Sequence, residues 1–202
     1  MAVVINGNGT VTGISVGGLP DGIVDDDTLA AGAGGKLIQK VQTVKTDISS
    51  FSSVGTGAFV NTDSAFAVTI TPSSTSSLIY LSGFVNVAVS GQVSQVNINY
   101  RRGGADLTTA VDGSGTIAPI GDADGSRKRV AASGNNSDPA GNCFTLALID
   151  KPASTSAQTY SLSLSHGSGS NRTMYINEVN GTTNSTNFQR SCSVFIAMEF
   201  KE

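Results

Sequence analysis

Few side chains in this sequence could carry chemistry, and the only histidine is the first to consider. His166 ends an alternating segment just before the Gly-Ser-Gly at 167–169. A Ser-His-Asp triad needs an oriented ring beside a nucleophile. No Gly-x-Ser-x-Gly elbow lies between a strand and a helix. We therefore expect His166 to be a surface residue at the end of a strand, and we predict no catalytic residue.

The two cysteines, Cys143 and Cys192, lie within apolar alternating segments. We expect two small buried residues with free thiols, because a cytosolic origin argues against a disulfide. Two distant cysteines and one histidine give no zinc-ligand spacing. The Asp122, Asp124 and Gly125 turn is only superficially similar to a calcium loop, since the glycine comes too early and no glutamate closes it. The sequence predicts no metal site and no cofactor.

Acidic and basic residues are equally sparse. The acidic run at 25–27 indicates the start of a solvated helical turn. Glu178 and Glu199 are the acids within predicted strands, and glycoside cleavage would need two acids facing each other across a cleft. Nothing in the sequence indicates that Glu178 and Glu199 face each other. The basic run at 127–129 is expected to pair with nearby aspartates, and the arginines at 101–102 likewise.

Composition narrows the class of protein. Charged residues make up 13% of the 202 residues, glycines number 24, and tryptophan is absent. Such a composition favours turns, short strands and polar loops over helices. The net charge of −3 argues against a nucleic-acid partner. No apolar run approaches the roughly 20 residues of a membrane helix, and the N-terminus has no signal-peptide pattern. We expect a protein made and assembled in a cytosol.

Residues 77–90 form the clearest strand signal, and the rest of the chain is arranged around it. Large apolar side chains alternate on one face, namely Ile79, Leu81, Val85, Val87 and Val89. The other face also carries apolar groups, so the pattern predicts a central strand with neither side exposed to water. Gly83 in mid-strand indicates a bulge or a close backbone approach.

Other alternating segments bring the total to about eight strands. They lie at 36–46, 65–71, 93–101, 142–149, 157–166, 172–179 and 191–201. In the last of these, one face carries Cys192, Val194, Ile196, Met198 and Phe200. Residues 49–57 are expected to be a Ser/Gly loop, and 103–141 to be irregular with one or two short strands. We predict an all-β, antiparallel β-sandwich of jelly-roll type at 36–202.

Residues 1–35 differ from the remainder. Their scattered apolar residues are too few to close a core from one chain. A turn is predicted at 19–22 and a helical turn at 27–31, followed by a glycine hinge. This segment is either a disordered tail or an extended, Gly-rich stem that becomes ordered only in an assembly. We favour the stem, because apolar residues are frequent for a solvating tail.

Five stretches, taken in order, resemble one kind of viral protein. They are SSLIYLSGFVNVAV, IGDADGSRKRV, LALIDKPASTSAQTYSLSLS, TMYINEVN and SCSVFIAMEF. Together they resemble the C-terminal domain of tail-fibre-like structural proteins of marine bacteriophages, cyanophages among them. Residues 1–35 resemble the Gly-rich N-terminal stems of phage fibres, through GGLPDG and DDDTLA.

The resemblance implies a homotrimeric virion structural protein with no catalytic residue. Apolar surface on more than one strand face is in keeping with an interface. We expect residues 1–35 to attach to other virion proteins, and the sandwich to bind a host surface glycan or envelope protein. Tyr100, Tyr160 and Tyr175 are the aromatic groups left for sugar stacking. The alternatives are a capsid fibre or decoration protein that binds only virion proteins, and a polysaccharide-degrading enzyme on a β scaffold.

Overall fold

The computed structural model describes residues 4–5, 11–12, 37–91, 93–136, 141–179 and 190–201. These residues form strands and turns without any helix. The strands are β1 (Val4–Ile5), β2 (Val11–Thr12), β3 (Leu37–Lys45), β4 (Ser49–Val54), β5 (Val60–Asn61), β6 (Ala67–Ile70), β7 (Leu78–Val89), β8 (Val93–Arg102), β9 (Ala105–Asp106), β10 (Ala110–Val111), β11 (Thr116–Ile117), β12 (Ala132–Asn136), β13 (Asn142–Asp150), β14 (Gln158–His166), β15 (Arg172–Ile176) and β16 (Ser193–Phe200).

The chain divides into two compact units, Met1–Gly35 and Lys36–Glu202. In the first unit, β1 and β2 pair antiparallel. The turn predicted at 19–22 and the helical turn predicted at 27–31 lie outside the described residues, as does most of the predicted stem.

The second unit is built from two antiparallel six-stranded sheets. Sheet I contains β3, β4, β7, β13, β15 and β16, and sheet II contains β5, β6, β8, β9, β12 and β14. The short β10–β11 hairpin stands apart from both sheets. The predicted all-β antiparallel sandwich is confirmed.

Strand β7 is the centre of sheet I, as its pattern predicted. Along one edge it pairs with β13, and along the other it pairs first with β16 and then with β15. Its predicted inner residues Ile79, Leu81 and Val87 are fully buried between the sheets. The other face is not sealed as predicted, because its side chains from Leu78 to Asn86 remain partly exposed and only Ala88 is buried.

Gly83 permits the close backbone approach that its position predicted. Its φ is +130°, and a Cβ at this position would overlap the carbonyl oxygen of Val194 in the neighbouring strand β16. Phe195 pairs with Gly83 and directs its ring into the core, where it lies 5.6 Å from the ring of Phe66. The missing side chain of Gly83 therefore fixes how β16 lies against β7.

The pairing with β7 also decides which face of β16 points inward. Its buried residues are Ser193, Phe195, Ala197 and Glu199. The apolar row from Val194 to Phe200 shares one face, as predicted, but that face is the outer one. Both faces of this strand carry large apolar groups, so period-2 alternation gives the two faces without saying which is inside.

Two other predictions need correction. Residues 49–54 form strand β4 instead of a loop, since they pair with β15. The irregular region at 103–141 holds more short strands than expected, from β9 to β12. Leu107 and Ala110 from this region are buried in the core.

Candidate interaction surface

The outer face of sheet I carries many apolar side chains, which are interrupted by Lys40, Gln42, Ser82 and Thr145. Antiparallel register places residues of β13, β7, β16 and β3 side by side in cross-strand rows. One row runs Ile149–Tyr80–Met198–Lys40, the next runs Ala147–Ser82–Ile196–Gln42, and the third runs Thr145–Phe84–Val194–Val44. Beyond the first row, Phe200 pairs with Leu78 on one side and Leu37 on the other.

We call this surface the apolar face. Its members are the large apolar residues Leu37, Val44, Leu78, Tyr80, Phe84, Ile149, Val194, Ile196, Met198 and Phe200. Val44 is 50% exposed, Leu37 46% and Ile149 38%, and the others are partly exposed. Strand spacing of about 4.8 Å and a rise of about 3.4 Å per residue make the face about 14 Å by about 20 Å. An apolar surface of this size is comparable with the largest patch on a typical monomer, about 300–600 Å², and such patches are often functional.

The apolar face is uneven in height and almost uncharged. The small residues Ala147 and Ser82 lie between the row that begins at Ile149 and the row that begins at Thr145, and they form a shallow trough beside Tyr80 and Phe84. Lys40 is the only charged residue in the three rows, and it lies on the edge strand β3. Such a surface favours an apolar partner with matching relief and offers few groups for binding a charged one.

Both cysteines lie at one end of this face. They were predicted to be buried, but both are exposed. Cys143 pairs with Asn86 of β7, and the Asn86 side chain donates to the carbonyl oxygen of Cys192 at 2.5 Å. Both thiols are free, as predicted, and both residues are exposed. Because Asn86 separates them, their Cα atoms are about 10 Å apart, beyond the roughly 7 Å that a disulfide can span.

His166 is buried, which corrects the expectation of a surface residue. It continues the inward row of β14 that includes Leu162 and Leu164, and all three are fully buried. Its Nε2 lies 2.8 Å from the carbonyl oxygen of Val54, and its Nδ1 accepts from the amide of Ser168 at 3.1 Å. Both ring nitrogens are thus engaged by backbone groups, which leaves the imidazole a structural role.

Two carboxylates, Asp150 and Glu199, flank Ile79 in one row on the inner face of sheet I. Both residues are fully buried. A glycosidase places its two acids on either side of an open cleft, whereas these two face the packed interior with a side chain between them. Asp150 is a residue that sequence reasoning missed, because the predicted strand ends at residue 149 and Asp150 precedes Lys151 and Pro152, as in an exposed turn.

Glu199 is held by four hydrogen bonds from neutral donors. Its Oε1 accepts from the amide and hydroxyl of Ser73 at 2.7 and 2.6 Å and from the hydroxyl of Ser77 at 2.6 Å. Its Oε2 accepts from the side-chain amide of Gln39 at 2.5 Å. Burial acts to raise the pKa of Glu199, but these bonds outweigh it and lower the pKa to about 2. The carboxylate therefore fastens the turn before β7 to strands β3 and β16.

Asp150 links the two sheets. Its Oδ2 accepts from the guanidinium of Arg102 at 2.6 Å and from the hydroxyl of Tyr160 at 2.7 Å, both in sheet II. Burial, followed by the negative charge of Asp150, raises the pKa of Tyr160. Arg102 pairs with an acid, as expected, but that acid lies 48 residues away along the chain.

The outer face of sheet II is polar where that of sheet I is apolar. Arg101 there pairs with Asp63 at 3.1 Å and with Asp106 at 2.8 Å. Burial acts to raise the pKa of Asp63, but hydrogen bonds from Arg101 and Ser161 leave that pKa lowered. These charges satisfy one another, so the cluster stabilises the sheet and leaves little for a ligand to bind.

Other predicted groups are placed less favourably for binding. Tyr100 and Tyr160 are buried in the core and cannot stack on a sugar, while Tyr175 is partly exposed. Arg127 pairs with Asp124 at 3.2 Å, as expected, within the exposed segment 121–129. Glu178 follows β15 instead of lying within a strand.

Metal-binding clusters and membrane-spanning helices are both absent from the described part of the chain. Within it, His, Cys, Asp and Glu side chains form no group of three or more that could hold a metal ion. No helix there is long and apolar enough to cross a membrane.

Comparison with known proteins gives no family. No family model matches the chain, and no curated protein matches it. Among solved structures, a chain of infectious bursal disease virus Gt strain is similar at 11% identity and a TM-score of 0.39, covering 90% of this chain and 44% of that one. A chain of the Gx strain is similar at 13% identity and a TM-score of 0.38, covering 80% of this chain and 36% of that one. A chain of the infectious bursal disease virus VP2 subviral particle is similar at 11% identity and a TM-score of 0.33, covering 80% of this chain and 41% of that one. This chain thus spans less than half the length of each, and a likeness of this size carries no argument about function.

Proposed function

We propose that this chain is a non-enzymatic structural protein of a bacteriophage virion, of the tail-fibre or short-fibre class, which assembles as a homotrimer. The observation that carries the proposal is the apolar face, because a preformed apolar surface on a rigid sheet is suited to protein–protein assembly. The ordered series of motifs that resembles marine phage tail-fibre proteins supports the same class.

The burial of the ionisable groups supports a role without catalysis. Glu199, Asp150 and His166 are fully buried, and each accepts or donates hydrogen bonds within the fold. A general acid or base has to reach a substrate proton. The chemistry at these positions is accounted for by stabilisation of the sandwich.

In this proposal the sandwich also binds the surface of the host cell. The exposed segment 121–129, with its Asp, Ser, Arg and Lys side chains, offers hydrogen-bonding groups for a glycan or an envelope protein. Three copies in one trimer would engage a repetitive surface together and gain avidity. Residues 1–35 would attach the sandwich to other virion proteins.

Binding to cells tests this role directly. Fluorescently labelled full-length protein should bind saturably to cyanobacterial or other marine bacterial cells from a panel, and excess unlabelled protein should displace it. Failure to bind any cell, together with retention of the protein on purified phage particles, would favour a capsid fibre or decoration protein that binds only virion proteins. Release of reducing sugar from cell envelopes, lost on substituting one acid, would instead establish a polysaccharide-degrading enzyme.

A further inference from the structure

We propose that segment 121–129 is a processing site, at which an endoprotease specific for basic residues cuts the chain and leaves the sandwich folded. The inference goes beyond the proposed function and does not depend on it. The segment lies between β11 and β12 and ends in three consecutive basic residues, Arg127, Lys128 and Arg129. Every residue of the segment is exposed, and proteolytic cuts concentrate at exposed loops of small and polar residues.

The segment can open without disturbing the core. Its only apolar side chain is that of Ala123, which is exposed. The amide of Arg127 donates to the carbonyl oxygen of Asp124 at 3.1 Å, and the two side chains form an ion pair at 3.2 Å. These side chains are 82% and 70% exposed, and an ion pair so exposed contributes little stability. The extended conformation that a protease cleft requires therefore costs only bonds that water can replace.

Contacts of the three basic side chains favour one peptide bond over its neighbours. The Nε of Arg129 donates to the carbonyl oxygen of Gly121 at 2.6 Å, at the base of the segment. The stem of Lys128 lies over Gly57, where an added Cβ would come within 3.3 Å of the lysine Cε. Arg127, by contrast, is paired within the exposed turn. We therefore expect the Arg127–Lys128 bond to be cut first.

The chemistry is the addition of water to that peptide bond. The bond between the carbonyl carbon of Arg127 and the nitrogen of Lys128 breaks, and the carbon gains the hydroxyl of water. The nitrogen gains the hydrogen, and the proton of the new acid passes to the new amine, which leaves a carboxylate and an ammonium group. A carboxylate in the specificity pocket of the protease takes the place of Asp124 beside the guanidinium of Arg127.

Strand pairing holds the two fragments together after the cut. Strands β3 to β11 precede the segment, and β12 to β16 follow it. Among the described residues of the sandwich, every strand pair except the hairpins β8–β9 and β10–β11 joins one strand from each side of the cut. The core likewise draws on both sides, with Leu81 from the first fragment and Leu162 and Phe195 from the second. Neither fragment can complete a sheet alone, so the cut protein remains one folded sandwich of two chains.

Limited digestion of the full-length protein tests the proposal. The protein is treated with a trace of trypsin under native conditions, and the cuts are located from the masses of the fragments. Local opening should keep the rate within about 5- to 30-fold of that for a synthetic peptide spanning residues 119–132. A cut that required global unfolding would be slower by roughly 10³-fold or more. The cut protein should elute with the uncut protein in native size-exclusion chromatography and separate into two fragments in urea.

Two aspartates provide a matched pair of variants. Asp124→Ser releases Arg127 and should speed the cut about two- to fivefold. Asp122→Ser removes the same charge from the same exposed segment and should change the rate less. Replacing all three basic residues of the segment with glutamine should abolish the cut there. The control Arg190→Gln changes an exposed basic residue before β16 and should leave that cut unchanged.

Each part of the proposal has its own contrary result. A first cut at another basic residue of the sandwich, such as Arg190, would overturn the choice of segment 121–129. A rate slowed by 10³-fold or more relative to the peptide would overturn local opening. Fragments that separate under native conditions would overturn the claim that strand pairing holds them. Equal rates for Asp124→Ser and Asp122→Ser would overturn the role given to the pairing of Arg127.

Discussion

Protonation of Glu199 should account for a large part of the acid sensitivity of the sandwich. An ordinary glutamate has a pKa of 4.5, and the folded protein lowers that of Glu199 to about 2. A lowered folded-state pKa contributes stability that is fully present above the unfolded value. That stability is lost as the pH falls from about 4.5 to about 2. At about 1.4 kcal/mol for each pH unit, linkage gives a contribution of about 3 kcal/mol to the free energy of unfolding.

Glu199→Gln removes the charge and leaves the shape. The amide keeps one acceptor oxygen, and its NH₂ group would face the donors of Ser73, Ser77 or Gln39. We therefore expect a loss of roughly 2–4 kcal/mol at pH 7, because a buried network loses charge-assisted bonds and gains an unmatched donor. The loss should shrink as the pH is lowered, since the wild type loses its own advantage.

The assay is urea-induced unfolding at pH 7, 5, 4 and 3 for the wild type, Glu199→Gln and Asp122→Asn. Asp122 is an exposed carboxylate, so its variant changes the same charge without touching the network. The difference between wild type and Glu199→Gln should narrow below pH 4.5, while Asp122→Asn should track the wild type. A constant difference from pH 7 to pH 3 would refute the reasoning, because it would mean that ionisation of Glu199 adds nothing.

Three further predictions concern the fold and its thiols. Gly83→Ala should prevent folding or lower the free energy of unfolding by at least about 3 kcal/mol, because the new Cβ would meet the Val194 carbonyl oxygen. Gly169 has open space around it, so the control variant Gly169→Ala should change that free energy by less than about 0.5 kcal/mol. Asp150→Ala should lower that free energy by about 3 kcal/mol and Tyr160→Phe by about 1 kcal/mol, and a double-mutant cycle that shows no coupling between them would contradict the link between the sheets. Oxidation of the protein at low concentration should give no disulfide within one chain, since β7 lies between the two cysteines. A Cys143–Cys192 cross-link found by peptide mapping in protein that migrates as a single chain without reductant would contradict the register.

Period-2 alternation was sufficient to locate β7 and the late strands, and to predict the sandwich. It could not decide which face of β16 is buried, because Phe195 and Ile196 are equally apolar. That choice depends on Gly83, a residue of another strand that pairs with Phe195 and whose missing Cβ leaves room for the Val194 carbonyl oxygen. The apolar face was consequently hidden in the sequence as part of a supposed core.

Sequence reasoning also failed to place polar residues that lie inside the fold. His166 and Glu199 were judged from local sequence, whereas their partners Val54 and Ser73 lie more than 100 residues away along the chain. Strand β4 was missed because its serines carry weak strand propensity, and its pairing with β15 supplies what local sequence does not. The sequence does contain a signal for the buried carboxylate, since Glu199 shares one face of β16 with Phe195 and Ala197.

The molar mass of the full-length wild-type protein in solution tests the central claim most directly. One chain has a mass of 20.5 kDa, and the account predicts three times that mass at micromolar concentration and neutral pH. A species of a single chain's mass across the whole concentration range would contradict it, because the apolar face would then be exposed to water without a second copy to cover it.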